Sequence, residues 1–306
     1  MQNDRLYVDS AYDLEQRAFV PGGFVELVDR MGEDLKPAEV ARISYSNADK
    51  KNVTQDINLV EYLWSNKHTS PFEFVEVEFR IRMPIFVARQ LFRHRTASVN
   101  EFSMRYSKAL PLVWVADQYR VPDKLNKQGS VGKNEADDIL KAAHIAAAEY
   151  AYRAYLDALK QGAPKEQART ILPVAMYTEV RWKQDFKNLS HLLMLRMDHH
   201  AQLETRYYAI AMYSLLRRYY PNLTKLFKKY TLESITLTHD ELEILLAAVR
   251  ANNPDHITNS VKSKSRASAL CDMYFGRGGL RNSIEADAIE RDILEFNKRL
   301  LREEVE

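Results

Sequence analysis

A strictly alternating segment at residues 73–83 constrains the fold of this chain more than any other feature. Five apolar residues share one side of it: Val75, Val77, Phe79, Ile81 and Met83. Four charged residues occupy the other side: Glu76, Glu78, Arg80 and Arg82. Alternation with a period of two predicts a β-strand that is buried on one face only, which is typical of antiparallel sheets. Shorter apolar runs predict further strands at 24–28 and 174–182.

Helical patterns account for most of the remaining chain. Apolar spacing and terminal signals predict these helices: 37–41, 54–66, 84–92, 135–159, 164–172 and 186–219. Thr54 is the expected N-cap of the second helix, and the last helix is expected to break near His199 and His200. The polar segment 118–134 is expected to be a surface loop. We therefore predict an α+β fold in which an antiparallel sheet is flanked by long helices.

The longest predicted helix, 135–159, carries small and apolar residues near one face. They are Ile139, Ala143, Ala147, Tyr150 and Leu156. The chain also contains 17 tyrosines. Aromatic rings serve in cores, in subunit interfaces and as stacking surfaces for flat ligands, so this number does not choose among the three.

The composition of the chain changes after about residue 232. The segment 260–266 is basic and serine-rich, residues 276–279 are glycine-rich, and residues 283–304 show a highly charged helical pattern. We treat 1–232 as the main domain and 233–306 as a C-terminal appendage that is mainly helical or partly disordered. No internal repeat of solenoid length is visible.

Charge and cysteine usage argue against several classes of protein. The chain has 44 basic and 42 acidic residues, a net charge of +2, so nothing electrostatic favours nucleic acid or an anionic membrane as the main partner. It has no apolar run near the ~20 residues that span a bilayer and no secretion signal, so we expect a cytoplasmic protein. The single cysteine, Cys271, permits neither an intrachain disulfide nor a cysteine metal cluster.

Histidines and glycines give no further cofactor signal. We expect no metal site, because His191, His199 and His200 fit no established ligand spacing, and adjacent residues on a helix point to different faces. No Gly-x-Gly-x-x-Gly pattern follows a predicted strand, so a dinucleotide-binding Rossmann domain is not expected.

A concentrated polar segment follows the helix predicted at 84–92. Arg93, His94 and Arg95 precede several hydroxyls, an amide and one carboxylate. Guanidinium groups offer paired donors to phosphates and ring carbonyls, and histidine donates or accepts near neutral pH. The segment therefore suits capture of a phosphorylated, ring-bearing ligand. Composition alone favours a plainer interpretation, in which arginines at a helix C-terminus lie in solvent. The order of the residues favours the ligand-binding interpretation over the solvent-exposed one.

This order resembles the signature of the flavin-dependent thymidylate synthases. That family carries Arg-His-Arg, seven residues and then serine, as do residues 93–103 here. Other segments are similar to the family in the same order: 23–29, 68–73, 84–90, 168–169, 172–173, 195–196 and 201–204. The resemblance covers about residues 22–230. Several ordered motifs over such a span are far more specific than one short pattern.

The resemblance implies an enzyme with the flavin-dependent thymidylate synthase fold, whose catalytic domain would be residues 1–232. Members of the family convert dUMP to dTMP with methylenetetrahydrofolate as one-carbon donor, and NADPH reduces a bound FAD that delivers the hydride. They are homotetramers with active sites shared between subunits. The sequence fits this route independently. The other thymidylate synthase route needs a cysteine nucleophile, and Cys271 lies outside every matched motif.

The resemblance also implies individual site residues. Arg196 is the expected catalytic residue, at the pyrimidine, where its charge would favour ionisation of N3. Residues expected to hold dUMP are Gln90, Arg93, Glu101, Phe102, Ser103, Met104, Arg105, Arg169 and Arg196. Residues expected to contact FAD are Ser44, His68, Ser70, Arg93, His94, Arg95, Glu101, Asp185, Lys187 and His191. The plainer alternatives are an Arg196 paired with Asp198 or Glu204, and a solvated Arg169 beside Glu166.

One departure from the family concerns the flavin. Many members carry Asn-x-Arg where this chain has Asp185, Phe186 and Lys187. Lysine keeps the positive charge but loses the planar fork of arginine, and aspartate cannot donate as an asparagine amide does. We therefore rank Asp185 and Lys187 below His191 as flavin contacts.

Two other functions remain open from the sequence. A flavin- and folate-dependent methyltransferase acting on uracil in RNA would use the same cofactors, although a near-neutral charge argues against a polyanionic partner. A nonenzymatic helical binding module would instead use the basic segment and the appendage 233–306. Binding of FAD would separate either enzyme from the module.

Overall fold

The computed structural model describes residues 16–44, 52–124, 126–252, 257, 287–295 and 297. The basic segment 260–266, Cys271 and the glycine-rich residues 276–279 lie outside the described residues. The strands are β1 (Arg17–Val20), β2 (Gly23–Met31), β3 (Glu76–Pro84), β4 (Ser98–Glu101), β5 (Val121–Pro122), β6 (Ser130–Val131) and β7 (Tyr177–Asp185). The helices are α1 (Lys36–Ala41), α2 (Val53–Ser65), α3 (Ile85–Leu91), α4 (Asp137–Lys160), α5 (Lys165–Ala168), α6 (Phe186–Met197), α7 (Leu203–Tyr219), α8 (Pro221–Phe227) and α9 (His239–Ala251). A further helical stretch covers 287–295.

The main sheet joins five antiparallel strands in the order β1-β2-β3-β7-β4. β3 lies at its centre, paired with β2 on one side and along its whole length with β7 on the other. The apolar residues predicted to share one face of this strand are all buried: Val77, Phe79, Ile81 and Met83. The predicted α+β fold with an antiparallel sheet is therefore confirmed.

The central strand begins later than the alternation of its sequence indicates. Ser70–Phe74 forms a 3₁₀ helix with Pro71 in its first turn, and β3 starts only at Glu76. The ring of proline fixes φ at a value that suits a first helical turn and removes a donor that a central strand needs. The 3₁₀ helix buries Phe72 edge-on against Trp64, with ring centroids 4.9 Å apart.

The predicted N-cap of the second helix, Thr54, is wrong. α2 begins at Val53, and its cap is Asn52, whose side chain accepts from the Gln55 N–H at 2.9 Å. Gln55 in turn accepts from the Asn52 N–H at 3.2 Å. This reciprocal capping box requires a glutamine or glutamate three residues after the cap, and only Asn52 has one.

Other predicted elements also differ in detail from the structure. The strand predicted at 174–182 is β7, which begins at Tyr177 and ends at Asp185. The predicted loop 118–134 contains a small hairpin in which β5 pairs with β6. The helix predicted at 164–172 divides into α5 and a 3₁₀ turn at Arg169–Ile171. The predicted break near His199 is confirmed, because α6 ends at Met197 and α7 begins at Leu203.

The order of strands and helices determines where the site forms. α3 follows directly from β3, and α6 follows directly from β7, the antiparallel neighbour of β3. These two helices therefore start at opposite ends of the sheet. α6 folds back over the sheet on its buried residues, among them Leu189, Leu192 and Leu193, so that its last turn returns towards α3.

The described part of the 233–306 segment packs against the main core. Ile289 and Ile293 of the 287–295 helix belong to that core, 8% and 3% exposed. Asn297 accepts from the Phe19 N–H at 3.0 Å and donates to its carbonyl at 3.1 Å, so it covers the outer edge of β1 as a neighbouring strand would. Division of the chain at residue 232 stays a prediction. Among the described residues, no helix has the length and apolar character required to cross a membrane.

Candidate active site

The ends of α3 and α6 meet at a cluster of nitrogen-bearing side chains. Arg196, in the last turn of α6, donates from Nε to His94 Nε2 at 3.0 Å and from Nη2 to the Gln90 carbonyl at 3.1 Å. The His191 ring lies edge-on to His94, with centroids 6.0 Å apart. Four residues expected at the site from distant parts of the sequence therefore lie together, and we call them the Arg196 cluster.

Burial decides the charge state of the Arg196 cluster. His94 is buried, and this burial, with the nearby charges of Arg196 and His191, lowers its pKa to about 4. A neutral imidazole can accept through Nε2, as the Arg196 Nε–H requires. Burial and the neighbouring Arg93 also lower the pKa of Arg196, but a guanidinium stays charged near neutral pH. The result is a cation fixed in place by a neutral acceptor.

This charge state predicts an acid-dependent loss of stability. The pKa of His94 is lowered from 6.5 to about 4, so between these values the unfolded chain binds a proton at this residue and the folded protein does not. The stability contributed by neutral His94 is therefore complete above pH 6.5 and is lost as the pH falls towards 4. His94→Gln keeps an acceptor for Arg196 and cannot titrate. We expect the free energy of unfolding in urea to fall more steeply for the wild type than for this variant across that range. Parallel curves would contradict the assignment.

Helix α7 fixes the side chain of Gln90. The buried Thr205 donates from Oγ1 to Gln90 Oε1 at 3.0 Å. The Gln90 amide nitrogen donates to the side-chain oxygen of Gln202. Because the hydroxyl donates to one end of the amide and a carbonyl accepts from the other, the Gln90 amide has a single orientation. Sequence reasoning missed Thr205, although the adjacent segment 201–204 was among those that resemble the family.

The exposed edge of the sheet carries a second group of expected residues. All four residues of β4 are exposed, and this strand is the last of the sheet. At its end, Glu101 accepts from Thr178 Oγ1 at 2.8 Å, and the Phe102 N–H donates to the Glu179 carbonyl at 2.7 Å. Thr178 was not expected at the site, since no local pattern pairs it with a carboxylate 77 positions away.

A tight turn follows the end of β4. The Ser103 Oγ accepts from the Arg105 N–H at 3.3 Å, and the Ser103 carbonyl accepts from two later N–H groups at 3.1 Å each. Arg105 pairs with Glu166 at 3.1 Å, and both side chains are exposed. Arg169 stands three residues after Glu166, is half-buried, and forms no ion pair with it among the described contacts. Met104 is half-buried and packs against a small apolar cluster.

Three arginines of the candidate site lack a carboxylate partner within the part of the chain that the structure describes. Arg93 and Arg95 are exposed directly after α3, and Arg169 is half-buried. Arginines on the central strand differ, since Arg80 and Arg82 both bind Glu179. Unneutralised guanidinium groups give their surroundings a positive potential and suit phosphate groups.

Two expected flavin contacts at the start of α6 have partners within the chain. Asp185 is the N-cap of α6, because its carboxylate accepts from the Asn188 N–H at 2.8 Å and from Asn188 Nδ2 at 2.7 Å. Lys187 pairs with Glu73 at 3.5 Å. Asp185 therefore has a structural role that the family pattern did not indicate. Lys187 and His191 stand four residues apart and share a side of α6.

Three further expected flavin contacts lie away from the Arg196 cluster. Ser44 is exposed at the end of the 3₁₀ turn Arg42–Ser44. His68 is exposed after α2, edge-on to Tyr62 with ring centroids 6.1 Å apart. Ser70 is exposed and opens the 3₁₀ helix that precedes β3. The described contacts do not join these three residues to Arg196.

The break between α6 and α7 brings three further titratable side chains together. A carboxylate oxygen of Asp198 and one ring nitrogen each of His199 and His200, the atoms that could bind a metal ion, lie within 4.8 Å of one another. The Asp198 carboxylate accepts from the His200 N–H at 2.8 Å. The expectation that the two histidines point to different helix faces is wrong, because neither lies in a helix and their ring centroids are 3.8 Å apart. Arg196 forms no ion pair with Asp198 or Glu204 among the described contacts, so its plainer alternative is not observed.

Known proteins share this sequence and fold. Residues 26–222 match the family described as thymidylate synthase complementing protein. A flavin-dependent thymidylate synthase of Thermus thermophilus is 43% identical over 223 residues, covering 73% of this chain and 82% of that protein. One of Dictyostelium discoideum is 39% identical over 254 residues, covering 78% and 80%. The crystal structure of a UMP/dUMP methylase from Streptomyces cacaoi bound with 5-Br dUMP superposes with a TM-score of 0.64 at 29% identity, covering 68% of this chain and 96% of that one.

The matched segment contains every site residue expected from the sequence, from Ser44 to Arg196. The two matches span 82% and 80% of the length of these relatives. The similarity therefore extends well beyond the short signature at residues 93–103. This chain belongs to the family of flavin-dependent thymidylate synthases.

Proposed function

We propose that this protein methylates dUMP to dTMP, with methylenetetrahydrofolate as one-carbon donor and NADPH as the reductant of a bound FAD. One observation carries the proposal. The Arg196 guanidinium is held by neutral His94 and by the Gln90 carbonyl where α3 meets α6. It has no carboxylate partner among the described residues. A fixed, partly buried cation of this kind stabilises negative charge that develops on a bound ring.

Arg196 is proposed to lower the cost of ionising the pyrimidine at N3. Its Nε–H and one Nη2–H are engaged by the protein, which leaves both Nη1–H groups and the second Nη2–H for the ligand. His94 holds the guanidinium without neutralising it, since burial keeps the imidazole uncharged. Negative charge on N3 increases the electron density of the ring and prepares it for methylation. The chain thus activates uracil without a covalent bond to the enzyme, consistent with a single cysteine, Cys271, outside all matched motifs.

The remaining dUMP contacts are proposed along α3, β4 and α5. The oriented amide of Gln90 and the carboxylate of Glu101 can read polar edges of the nucleoside. Arg93, Phe102 and Met104 complete the proposed contacts to the nucleoside. Ser103, Arg105 and Arg169 are assigned to the phosphate. Arg105 is paired with Glu166 on the surface, and such exposed pairs contribute little free energy, so a phosphate can replace the carboxylate.

The residues proposed for FAD fit an anionic dinucleotide in charge. Arg93 and Arg95 are exposed cations without carboxylate partners among the described residues. Lys187 and His191 share one side of α6, about 6 Å apart along the helix. The proposed set also includes Ser44, His68, Ser70, His94 and Glu101. Asp185 is its weakest member, because its carboxylate already caps α6. When bound, FAD supplies the hydride that completes the methyl group.

Flavin binding is the first test of this proposal. We expect purified protein to be yellow, or to become so when FAD is added, with an absorbance band of bound flavin that NADPH bleaches. Arg95→Ala should weaken FAD binding, because a charge-assisted contact to a phosphate is removed. Arg218→Ala, on α7, is the matched control and should bind FAD as the wild type does. A folded protein that binds no FAD would overturn the proposal.

We also propose a homotetramer in which subunits share active sites. α4 exposes an apolar face with no partner in the described chain: Ile139 and Tyr150 are 73% and 77% exposed, and Ala143 and Ala147 are exposed as well. A face of this kind on a 24-residue helix indicates a subunit contact. Light scattering should give the mass of four chains, and Ile139→Glu combined with Tyr150→Glu should shift the protein towards smaller species. A wild-type monomer would contradict the proposal.

The two alternative functions are less well supported. A methyltransferase for uracil in RNA would need a basic surface along a polyanion, and the chain has a net charge of only +2. A nonenzymatic module would not need an oriented Gln90 or a neutral His94 beside a fixed cation. Competition between dUMP and a uracil-containing RNA for the same site would separate the first alternative from the proposal.

A further inference from the structure

A separate cavity of about 250 Å³ opens beside the first turn of α7. Its apolar walls come from Pro84, Trp114, Leu203 and Tyr207, and its polar walls from Asp117 and Arg120 with Glu204. The cavity is next to the Arg196 cluster along α7, because Leu203 and Glu204 stand between Gln202 and Thr205, which both bind the Gln90 side chain. No residue expected at the dUMP or FAD site lines this cavity.

Glu204 makes the cavity chemically unusual. It is only 8% exposed, and its Oε1 accepts from Arg120 Nη2 at 2.8 Å. Its Oε2 is buried and has no hydrogen-bond partner in the described part of the chain. The hydroxyl of Tyr208, a second residue of the wall, is buried and unpartnered in the same way. A buried carboxylate oxygen without a donor is costly, so a donor is expected to occupy the cavity.

The electrostatic potential of the cavity favours a positive occupant. Its lining has one guanidinium, Arg120, and two carboxylates: Glu204, and Asp117, which also interacts with another group of the chain. That guanidinium is already engaged, since its Nε also donates to Ser130 Oγ at 2.7 Å. The pKa of Tyr207, another residue of the wall, is shifted by burial and by the same charges. Burial raises its pKa, and the carboxylates of Asp292, Asp117 and Glu204 raise it further against the opposing charge of Arg120.

We propose that this cavity binds a small organic cation, a single ammonium group on a flat apolar body. The ammonium would donate to Glu204 Oε2, and the body would lie between the rings of Trp114 and Tyr207, which also attract a cation. A primary amine fits better than a guanidinium. Paired recognition of a guanidinium needs both carboxylate oxygens, and Arg120 already occupies Oε1. The cavity lies beside α7, whose Thr205 orients Gln90.

Binding of benzylamine to the full-length protein tests this inference, with benzyl alcohol as the neutral molecule of matched shape. Titration calorimetry at neutral pH should show one benzylamine per chain, and benzyl alcohol should bind at least about tenfold more weakly. Glu204→Gln should weaken benzylamine at least about tenfold, since it removes the charge while keeping an acceptor for Arg120. Glu61→Gln changes an exposed carboxylate that pairs with Lys229 elsewhere, and should leave the affinity unchanged.

Trp114→Leu provides a second variant if Glu204→Gln does not fold. It keeps an apolar wall but removes the aromatic face, and should weaken benzylamine at least about threefold. Absence of benzylamine binding, equal affinity for the alcohol, or unchanged affinity in folded Glu204→Gln or Trp114→Leu would overturn the inference. A crystal structure with the cavity filled by a partner subunit would do the same. The readout needs neither flavin nor dUMP, so its failure is distinct from failure of the proposed activity.

Discussion

An Arg196→Ala variant is expected to form dTMP from dUMP at least about 10²–10³-fold more slowly than the wild type. The guanidinium is held at 3.0 Å by His94 and at 3.1 Å by the Gln90 carbonyl, and it is the cation that we place at the pyrimidine. Without it, charge on the ring develops with no fixed partner. The loss should fall on kcat more than on KM, because the interaction strengthens as the charge forms. Initial rates of dTMP formation with saturating FAD and NADPH measure the effect.

Two further variants make this result specific. Arg196→Lys keeps the charge but loses the planar fork that binds His94 and Gln90 together, so it should recover only a small part of the rate. Cys271→Ala should be as active as the wild type, since no step is assigned to its thiol. Near-ultraviolet circular dichroism should show that each variant is folded. An Arg196→Ala enzyme with nearly normal turnover would show that uracil is activated in another way.

Replacing Ile289 and Ile293 together with alanine is expected to lower the free energy of unfolding by about 4–6 kcal/mol. Both side chains lie in the main core, 8% and 3% exposed, although they belong to the segment after residue 232. Polar contacts hold the same helix, because Glu290 accepts from Ser214 Oγ at 2.7 Å and from Arg217 Nη1 at 2.8 Å. Urea unfolding at fixed protein concentration measures the change, since assembly makes stability depend on concentration.

Leu294→Ala is the matched control for this prediction. Leu294 lies on the same helix but is 43% exposed, so its truncation should cost less than about 1 kcal/mol. Equal and small effects of the core and surface substitutions would mean that the 287–295 helix is not part of the cooperative unit. The chain would then divide near residue 232, as the change in composition alone indicates.

Sequence patterns predicted the parts of the fold that depend on local periodicity. The alternation around Phe79 and Ile81 predicted the central strand, since a half-buried strand requires this spacing. The start of that strand was misplaced because the alternation already begins at residue 73, inside the 3₁₀ helix Ser70–Phe74 that starts around Pro71. The N-cap was misplaced by two residues, to Thr54, because Asn52 acts only together with Gln55, and such a reciprocal pair is less visible than a single favoured residue.

Contacts between segments that are far apart in the sequence could not be predicted from local patterns. The bond from Thr205 to Gln90 spans 115 positions and the bond from Thr178 to Glu101 spans 77. Neither threonine stands in a pattern that indicates a partner. The packing of Ile293 into the core was hidden in the same way, because the helix that carries it is mostly charged. Family resemblance selected Arg196, and only the structure shows the neutral histidine that holds it.

The roles of Asp185 and Lys187 show a different limit. Their types were compared with an Asn-x-Arg pattern, and the departure lowered their rank as flavin contacts. The structure gives each a partner in the chain, Asn188 for Asp185 and Glu73 for Lys187. A residue type can thus fit a ligand and still be used for a helix cap or an ion pair. Sequence alone does not separate these uses, because both need the same polar atoms.

The decisive measurement is mass spectrometry of the nucleotide formed from dUMP when the wild-type protein is given FAD, NADPH and isotope-labelled methylenetetrahydrofolate. The proposed function predicts dTMP that carries the label in its methyl group, formed only when flavin is present and formed equally by Cys271→Ala. Absence of labelled dTMP from a folded protein that binds FAD and oxidises NADPH would contradict it. Loss of product in a folded Cys271→Ala variant would contradict the activation of uracil by Arg196.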